Sequence, residues 1–483
     1  MNASRSKTRP EMGPGVKHAY FRGKLVMVGF GCIGQAILPL LLRHIDIRPD
    51  QIAVIASNGK GASMARACGI HFSNHALTAA NHVALLEAQL SEGDFLLNLS
   101  VDVSSLALMT LCRRLGALYL DTCIEPWAGG YTDSRLSLSE RSNYALRESV
   151  LAFGDQVRGS PTAIVTQGAN PGLASSFVKQ ALLNMATDTG LSVDRPADRA
   201  AWAALSRQLG IKAIHIAERD SQTASQTRQR DEFVNTWSAP GFIAEGTQPS
   251  ELGWGTHERH WPPDGERHAF GCDAAIYLDR PGLATRVRSW TPLQGAFHGF
   301  LVTHGESISI ADHLSCKVDG VVVYRPTVHY AYQPCDDTLL SIHDLASRNW
   351  HAPPSHRLLR DDIVSGIDEL GVLLMGNPKG VYWYGSLLSI QEARRLAPFN
   401  SATSLQVAAG ALAGVVWALR HRRAGVVEPD DLDHEMVLHI AGPYLGELVG
   451  VYGDWSPLQG RGHLFKESMD TSDPWQFKNV RVC

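Results

Sequence analysis

The 483-residue chain lacks several patterns that would place it in a specialised class of proteins. Its eight cysteines are scattered and never form a C-x-x-C pair, which argues against a zinc knuckle or a disulfide framework. Its first twenty residues are polar and lack the apolar segment of a signal peptide. We find no apolar run that approaches the roughly 18 residues needed to cross a bilayer. These absences favour a cytoplasmic enzyme with free thiols.

A strong charge of either sign is also missing. The formal net charge is −4, and charged residues make up 19% of the chain. This balance gives no reason to expect nucleic acid or an anionic membrane as a partner. The hydrophobic fraction of 44% is ordinary for a globular enzyme, and the length predicts two or three domains.

What is present, in the first third of the chain, is an alternation of short apolar runs with amphipathic stretches. KLVMVGF, QIAVIAS, DFLLNLS and ALYLDTC are typical of strands, and the segments between them are typical of helices, one of them from about Ala62 to Ala67. Nearly all-apolar strands that alternate with helices predict a parallel sheet covered on both faces. We therefore expect a Rossmann-type domain at residues 23–160, after a flexible lead-in at 1–22.

Beyond about residue 195 the sequence is rich in β-type segments separated by glycines and aromatics. VNTWSAPGFIAEG, AAIYLDR, TRVRSW, GFLVTHGESISIAD and VVVYRPTVHYAY predict strands of a mixed α+β domain. We assign this substrate and dimerisation domain to residues 161–385. Residues 401–421 predict one apolar helix, within a C-terminal helical segment and tail (386–483) that packs back on the nucleotide domain. The expected fold class is thus α/β, with a Rossmann-type parallel sheet and a second mixed α+β domain.

The stretch LVMVGFGCIGQAI joins the first of these strands to a helix through a G-x-G-x-x-G loop. Gly29 allows the tight turn, Gly31 lets the backbone approach a pyrophosphate, and Gly34 lets the helix pack closely on the strand. Cys32 and Ile33 then begin the helix, whose free N–H groups and dipole favour phosphate. The same glycines also fit a turn without a ligand, but the strand–helix context favours a dinucleotide.

The identity of the dinucleotide stays open at this point. An acidic residue about 20 positions on would bind the ribose 2′-OH of NAD, but this sequence has Ala-Ser-Asn-Gly-Lys at 56–60. Ser57 is the candidate contact there, and Lys60 leaves room for the 2′-phosphate of NADP. Further candidate cofactor contacts follow the next strands: Asn98, Ser100, Asp102 and Thr122. Asp102 also fits a cap of the following helix.

Eleven stretches carry a resemblance to a known family: NLSVDVSSL, YLDTCIEPW, QGANPGL, IHIAERD, FVNTWS, LGWGT, TRVRSWTP, LVTHGESISIAD, YRPTVHYAY, GIDELGVLL and YWYGSLLSI. They resemble the bacterial homospermidine synthases, a family whose fold is similar to that of saccharopine dehydrogenase. The resemblance runs from about Gly23 to Val480. VNTWS and HIAERD are far more specific to this family than the glycine loop.

The resemblance implies an aminobutyl transfer with NAD as a recycled cofactor. A hydride leaves putrescine, ammonia is lost from the resulting imine, a second putrescine forms a Schiff base, and the hydride returns to give homospermidine. Spermidine is implied as a second donor, which would release diaminopropane. No net oxidation occurs, so the enzyme is a transferase, and the family also implies a homodimer.

A diamine is a dication at neutral pH, so its pocket needs carboxylates and a base of suitable pKa. The matched stretches and their neighbourhood carry eight candidate site residues: Glu125, Asn170, Glu218, Trp237, Glu245, His304, Glu306 and Asp368. The resemblance favours substrate roles for Glu125, Glu218 and Trp237, and Asn170 would orient the substrate or the carboxamide of the cofactor. Trp237 would attract an ammonium group to its ring, with Glu245 as the partner carboxylate. We expect His304 and Glu306 on one face of an alternating strand, with His304 carrying protons and Glu306 holding the distal ammonium.

Structural roles for the same residues remain open. Glu125 and Asp368 each fit a capping acid, and Asn170 fits an N-cap. Glu218 could be neutralised by Arg219 or Asp220 beside it, and Trp237 could belong to the core.

The same holds for His304 and Glu306, which fit a half-buried histidine beside a surface acid. THERHWPPDGERH contains His257, His260 and His268, but its two prolines break any helix, so we expect a solvated loop and no metal site.

Two other functions compete with the transferase. A saccharopine-type or carboxynorspermidine-type NAD(P)-dependent dehydrogenase would need arginines for the carboxylates of its substrate. The arginines of the matched stretches (Arg219, Arg286, Arg288 and Arg325) are fewer than the acids. A dinucleotide sensor without chemistry would keep only the loop, and the cluster of Glu, Trp and His at strand ends argues against it.

Overall fold

The computed structural model describes residues 15–155, 159–192 and 194–482. Its strands are, in chain order, β1 (Ala19–Tyr20), β2 (Leu25–Val28), β3 (Ile45–Asp46), β4 (Ile52–Ala56), β5 (His71–Asn74), β6 (Phe95–Asn98), β7 (Leu118–Asp121), β8 (Ala163–Ile164), β9 (Ala213–Asp220), β10 (Thr223–Ala224), β11 (Glu232–Asn235), β12 (Pro249–Gly253), β13 (Gly265–Arg267), β14 (Ala275–Pro281), β15 (Arg286–Thr291), β16 (Gly295–Phe300), β17 (Cys316–Val318), β18 (Val321–Tyr324), β19 (Thr327–Gln333), β20 (Ser355–Leu358), β21 (Ile363–Ser365), β22 (Ile367–Met375), β23 (Val381–Ser389), β24 (Val426–Val427), β25 (Glu447–Gly453) and β26 (Arg481–Val482).

The α-helices are α1 (Cys32–His44), α2 (Ala62–Ala67), α3 (His82–Glu87), α4 (Ser105–Leu115), α5 (Asn143–Asp155), α6 (Leu173–Asp188), α7 (Arg199–Gln208), α8 (Ala239–Thr247), α9 (Gly305–His313), α10 (Asp336–Ser347), α11 (Ile390–Leu396), α12 (Ala402–Arg420), α13 (His434–Ala441) and α14 (Phe477–Val480).

The first sheet is fully parallel, with strand order β24-β8-β7-β6-β2-β4-β5. Its central strands are buried on both faces, as their continuous apolar sequences predict. Helix α2 has the predicted bounds, and α4 is capped by Ser104, whose hydroxyl accepts the N–H of Ala107 at 3.3 Å. The predicted Rossmann-type sheet is confirmed.

The second sheet is mixed, and β9 lies at its centre. Strand β19 pairs with β9 in parallel and β22 pairs with it antiparallel, within the order β13-β14-β12-β19-β9-β22-β23-β25. Strands β16, β15 and β26 extend the sheet from β19. The predicted second mixed α+β domain is confirmed.

Two segments predicted to be strands are helices. The α8 part of VNTWSAPGFIAEG begins at Ser238, whose hydroxyl accepts the N–H of Gly241, and Pro240 stands in its first turn. In α9 every residue from Glu306 to His313 is buried. Its alternation of serine and isoleucine therefore does not separate a wet face from a dry one, and the period-two pattern gave a wrong strand.

Helix α12 confirms the predicted apolar helix and corrects one expectation. With a mean hydropathy of 1.6 it is long and apolar enough to cross a membrane, in contrast to the sequence reading. However, 94% of its 18-residue apolar stretch is buried inside the protein, where α12 packs on α1, α13 and β7. Its composition is that of a core helix.

The chain crosses the expected domain boundaries. Strands β8 and β24 lie beyond residue 160 but complete the first sheet, while β25 and β26 belong to the second. In the expected lead-in, β1 pairs with β3, and residues 1–14 lie outside the described residues. The C-terminal segment thus supplies strands to both sheets, which a helical tail on the nucleotide domain would not do.

Candidate functional site

The glycine loop forms an open cradle at the start of α1. Gly29 has φ +88°, and a Cβ there would lie 2.6 Å from the carbonyl oxygen of Leu99. A Cβ on Gly34 would lie 2.8 Å from the Gly29 oxygen, whereas a Cβ on Gly31 would meet no atom within 4 Å. No side chain caps α1, and its first turn has no acid. The N–H groups at Cys32 and Ile33 therefore face free space, which fits a pyrophosphate.

The other candidate cofactor contacts follow the neighbouring strands of this sheet. Ser57 is exposed after β4 in a loop that carries no carboxylate, as the sequence predicts. After β6, the Asn98 side chain accepts the Ser100 hydroxyl at 2.6 Å. Asp102 has φ +61° but does not cap α4, so that alternative is wrong. Thr122 directly follows β7 and is half-buried.

A pocket of about 420 Å³ opens where β7, β8 and β24 end. Its lining comes from the loops after these strands and from the starts or faces of α5, α8 and α9: Cys123, Ile124, Asn143, Arg147, Thr166, Pro171, Glu245, Thr303, His304, Gly305 and Glu428. The carboxyl ends of parallel strands are where ligands bind in open α/β sheets. The pocket is therefore the candidate active site.

Glu245 and His304 meet in this pocket from two helices. His304 is the residue before α9, and its Nε2 lies 3.6 Å from Glu245 Oε2. Its ring packs on Tyr330 with centroids 4.4 Å apart. His304 Nδ1 and Glu245 Oε2 are buried without a hydrogen-bond partner among the described residues. Two polar atoms are thus available to a ligand.

Glu125 is a second acid near this pair. Its side chain is buried after β7, and its carboxylate accepts the Asp102 N–H at 3.4 Å. Burial, with the nearby charge of Glu245, raises the pKa of Glu125 to about 8. Since Ser104 caps α4, Glu125 is not the helix cap.

Glu218 is buried on β9 and receives two hydrogen bonds on one oxygen. Asn170 Nδ2 donates at 2.6 Å, and the Tyr330 hydroxyl donates as well. Burial raises the pKa of Glu218 to about 7. Arg219 does not neutralise it, because its guanidinium contacts Asp336 and the Pro334 carbonyl. Asn170 is not an N-cap, since that position of α6 is taken by Gly172.

Asp368 lies inside β22, directly opposite Asp220 of β9. It is fully buried and accepts the Thr403 hydroxyl at 2.5 Å, while its Oδ1 has no partner among the described residues. Burial and the charges of Glu218 and Asp220 raise the pKa of Asp368 well above its ordinary value. The alternative that Asp368 caps a following segment is wrong.

Glu306 does not share a strand face with His304. It lies in the first turn of α9, and its Oε1 accepts the N–H groups of Gly172 and Ser175 and the Ser175 hydroxyl, each at 2.9 Å. The carboxylate therefore caps the start of α6, and the pocket lining contains His304 and Gly305 without Glu306. Burial raises the pKa of Glu306 to about 8. The expected surface acid is also wrong.

Trp237 lies between β11 and α8 and is half-buried. Its ring packs edge-on against Phe242, with centroids 5.4 Å apart at 63°. In the part of the chain that the structure describes, no Arg or Lys lies over this ring. The ring therefore packs partly against the core, and no cation of the described residues lies over it.

Sequence reasoning missed several residues of this site. Tyr330 links Glu218 to His304, and its signal was the Tyr-Ala-Tyr alternation in YRPTVHYAY. Arg147 and Glu428 line the pocket as a two-pronged ion pair at 2.6 and 2.8 Å. The only sequence feature that could have pointed to Arg147 is its charge within the amphipathic stretch of α5. No motif around Glu428 predicts that it lines a pocket.

The histidine-rich loop is in part the expected solvated loop, since Arg259, Trp261 and Arg267 are exposed, but its three histidines contact the rest of the protein. His268 is buried and stacks on Tyr144, with centroids 3.9 Å apart. His257 Nε2 donates to the Trp475 carbonyl at 3.1 Å, and His260 contacts Asp470 at 2.8 Å. Aromatic stacking and the C-terminal tail cover one part of the loop. Within residues 15–155, 159–192 and 194–482, no group of three or more His, Cys, Asp or Glu could hold a metal.

Comparison with known families matches most of the chain. Residues 25–164 match the saccharopine dehydrogenase NADP binding domain, and residues 168–454 match the saccharopine dehydrogenase C-terminal domain.

Named relatives are similar over nearly the full length. A homospermidine synthase from Blastochloris viridis is 53% identical, covering 95% of this chain and 97% of its own, and one from Mesorhizobium japonicum is 49% identical, covering 95% and 96%. The solved structure of the homospermidine synthase from Legionella pneumophila in complex with NAD is 50% identical, with a TM-score of 0.90 and coverage of 96% and 98%. The chain therefore belongs to the homospermidine synthase family, built on the saccharopine dehydrogenase fold.

Proposed function

We propose that this protein is a NAD-dependent homospermidine synthase. It transfers an aminobutyl group from putrescine, or from spermidine, to putrescine, and releases ammonia or diaminopropane. The observation that carries the proposal is the charge of the pocket lining, in which Glu245 has an oxygen without a hydrogen-bond partner among the described residues, while Arg147 is already neutralised by Glu428.

The acids of the site suit a dication. Glu245 lines the pocket with an unpartnered oxygen, and Glu125 and Glu218 lie buried around it. The pocket's arginine, Arg147, is already paired with Glu428 and with Asp312 at 3.1 Å. A diamine with two ammonium groups complements this lining, whereas a substrate carboxylate would need a free guanidinium.

The arginines that a dehydrogenase would use are engaged elsewhere. Arg286 lies over the Phe300 ring, Arg288 contacts Glu467 and the Arg481 carbonyl, and Arg325 donates to the Asp273 carbonyl. Arg219 contacts Asp336. The saccharopine-type and carboxynorspermidine-type readings therefore find no support in the pocket.

The glycine loop would hold the cofactor. Gly31 leaves the space that a pyrophosphate fills, while Gly29 and Gly34 set the close turn. We assign Ser57, Asn98, Ser100, Asp102 and Thr122 as further contacts from their positions after the strands. We propose NAD over NADP because the relative from Legionella pneumophila is in complex with NAD. When bound, NAD supplies a reversible acceptor for the hydride.

The residues of the pocket would handle the amines and protons. His304 Nε2, near Glu245 Oε2, is placed to take a proton from the reacting ammonium and to return it. Glu218, oriented by Asn170 and Tyr330, would hold an ammonium group together with Asp368. Trp237 would stabilise the cation beside Glu245.

Assembly and location are part of the same proposal. We propose a homodimer in the cytoplasm, supported by the family resemblance and by scattered cysteines that form no C-x-x-C pair. We keep residues 161–385 as the proposed substrate and dimerisation region.

The decisive experiment is a product analysis. Protein incubated with putrescine and a catalytic amount of NAD should form homospermidine and ammonia in equal amounts, without accumulation of NADH. A parallel reaction without NAD should form neither. Stoichiometric NADH without homospermidine would refute the transferase and favour a dehydrogenase.

A further inference from the structure

Tyr332 presents a buried hydroxyl with no assigned role. It lies on β19 in register with Glu218 of β9, so both side chains lie on one face of the second sheet. Its side chain is fully buried, and its ring stacks on Tyr330 at 5.3 Å and 8°. Among residues 15–155, 159–192 and 194–482, no group forms a hydrogen bond with the Tyr332 hydroxyl.

Three acids lie on the same face of the sheet as this hydroxyl. Burial, with the charges of Glu218, Asp220 and Asp368, raises the pKa of Tyr332 well above its ordinary value. On the same face, Asp368 stands opposite Asp220 across the β9–β22 pair. No salt bridge in the described part of the chain joins a cation to any of these three acids. We call Glu218, Asp220, Asp368, Tyr330 and Tyr332 the acidic face.

The partners of these groups are unevenly distributed. Asp220 accepts from the Gln222 N–H at 2.8 Å and from the Thr236 hydroxyl at 2.7 Å. Glu218 has its two donors, but Asp368 Oδ1 has none in the described residues. The acidic face therefore holds two unpartnered atoms, Asp368 Oδ1 and the Tyr332 hydroxyl.

Two unpartnered buried polar atoms on one face are expensive for the fold. Each has lost the hydrogen bonds that it made to water in the unfolded chain, and native structures keep few such groups. Such violations are expected at functional sites. A cationic partner suits this face, because its three acids would repel an anion. A primary ammonium has three N–H donors and can reach Glu218, Asp368 and a phenol oxygen together.

We infer that Tyr332 is a substrate-binding residue whose phenol oxygen accepts a hydrogen bond from the ammonium group held between Glu218 and Asp368. This inference rests on the proposed function and adds to it a residue that recognises the aliphatic ammonium.

The test compares Tyr332→Phe with Tyr330→Phe. The first variant keeps the stacked ring and removes only the unpartnered hydroxyl, so Tm of the diamine-free protein should stay within about 1 °C of wild type or rise. The KM for putrescine should increase about tenfold, with kcat changed less than threefold. The second variant removes a hydroxyl that donates to Glu218, so its Tm should fall by about 1–3 °C.

Two results would overturn the inference. An unchanged KM for Tyr332→Phe shows that no ammonium contacts the hydroxyl. A Tm lowered as in Tyr330→Phe shows that the hydroxyl is paired within the protein.

Failure of the proposed function would give a different experimental result. In that case wild-type protein forms no homospermidine from putrescine and NAD. The binding role is then tested by the Tm of each protein with and without putrescine. A Tm that putrescine raises in wild type but not in Tyr332→Phe would support binding by Tyr332, and an equal increase in both proteins would overturn it.

Discussion

Replacing Glu306 by glutamine separates capping of α6 from any contact with a diamine. Oε1 of Glu306 accepts three hydrogen bonds from Gly172 and Ser175, and an amide oxygen can accept the same three. The variant Glu306→Gln therefore keeps the cap and removes the charge. The perturbation is electrostatic and confined to one buried group.

The magnitude follows from the pKa of Glu306. Burial raises it from 4.5 to about 8, so the folded protein binds this proton more tightly than the unfolded chain does. Wild type consequently loses stability as pH rises between these two values, and above pH 8 the loss is complete. At about 1.4 kcal/mol per pH unit, the free energy of unfolding of wild type should fall relative to Glu306→Gln by up to about 4 kcal/mol between pH 5 and pH 8.

The assay is urea unfolding of both proteins at pH 5, 6, 7 and 8. Any fixed cost of burying the glutamine NH₂ cancels, since only the change with pH is compared. Glu258→Gln is the matched control, because Glu258 is another buried acid and its pKa is about 7. Its difference from wild type should grow with the same sign and level off about one pH unit earlier.

The reasoning is refuted if the difference between wild type and Glu306→Gln does not change with pH. A tenfold rise in the KM for putrescine without such a change would instead assign Glu306 to ammonium binding, the role expected from its sequence position beside His304.

The remaining predictions concern the cofactor loop and the amine site. Gly31→Ala should weaken NAD binding at least tenfold in titration calorimetry and leave Tm unchanged, since its Cβ enters the open space of the cradle. Gly29→Ala should weaken NAD binding and also lower Tm, because its Cβ meets the backbone. Equal effects of the two substitutions on Tm would contradict the open cradle at Gly31. Trp237→Phe should keep part of kcat/KM and Trp237→Ala should lose about 2- to 30-fold more, the range of a cation–π contact; equal losses argue against that contact. Glu245→Gln should lower the pKa of Glu125, whose value the Glu245 charge raises, and so move the acid limb of the kcat/KM profile to lower pH; an unmoved limb contradicts the coupling.

Local patterns sufficed for the first sheet. Strands such as Leu25–Val28 and Ile52–Ala56 are continuous apolar runs, and the bounds of α2 were predicted correctly from the sequence. Parallel strands buried on both faces leave this signal directly in the chain, and the glycine loop follows from its position after one of them.

The failures have a physical cause in burial. Alternation predicts a strand only when one face is wet, and α9 is buried on all sides, so Ser-Ile-Ser-Ile gave the wrong element. Because the element was wrong, the predicted orientation of Glu306, on one strand face with His304, was wrong as well.

Contacts distant in sequence were also beyond local reasoning. Tyr330 meets Glu218 across 112 residues, and Arg147 meets Glu428 across 281. The candidate acids themselves came from the family resemblance, whereas their hydrogen-bond partners required the three-dimensional arrangement.

The pairing of Val426–Val427 with Ala163–Ile164 has a consequence for how the protein is made. A ribosome that delivers the chain from its N-terminus exposes the free edge of β8 long before β24 emerges. Strand β25, which ends the β23 side of the second sheet, emerges later still. Both sheets must therefore wait with unpaired edges, which are prone to associate with other chains, until translation nears its end. Premature stops after α12 would yield two incomplete sheets, and such products should be substrates for chaperones and proteases and not partly active enzymes.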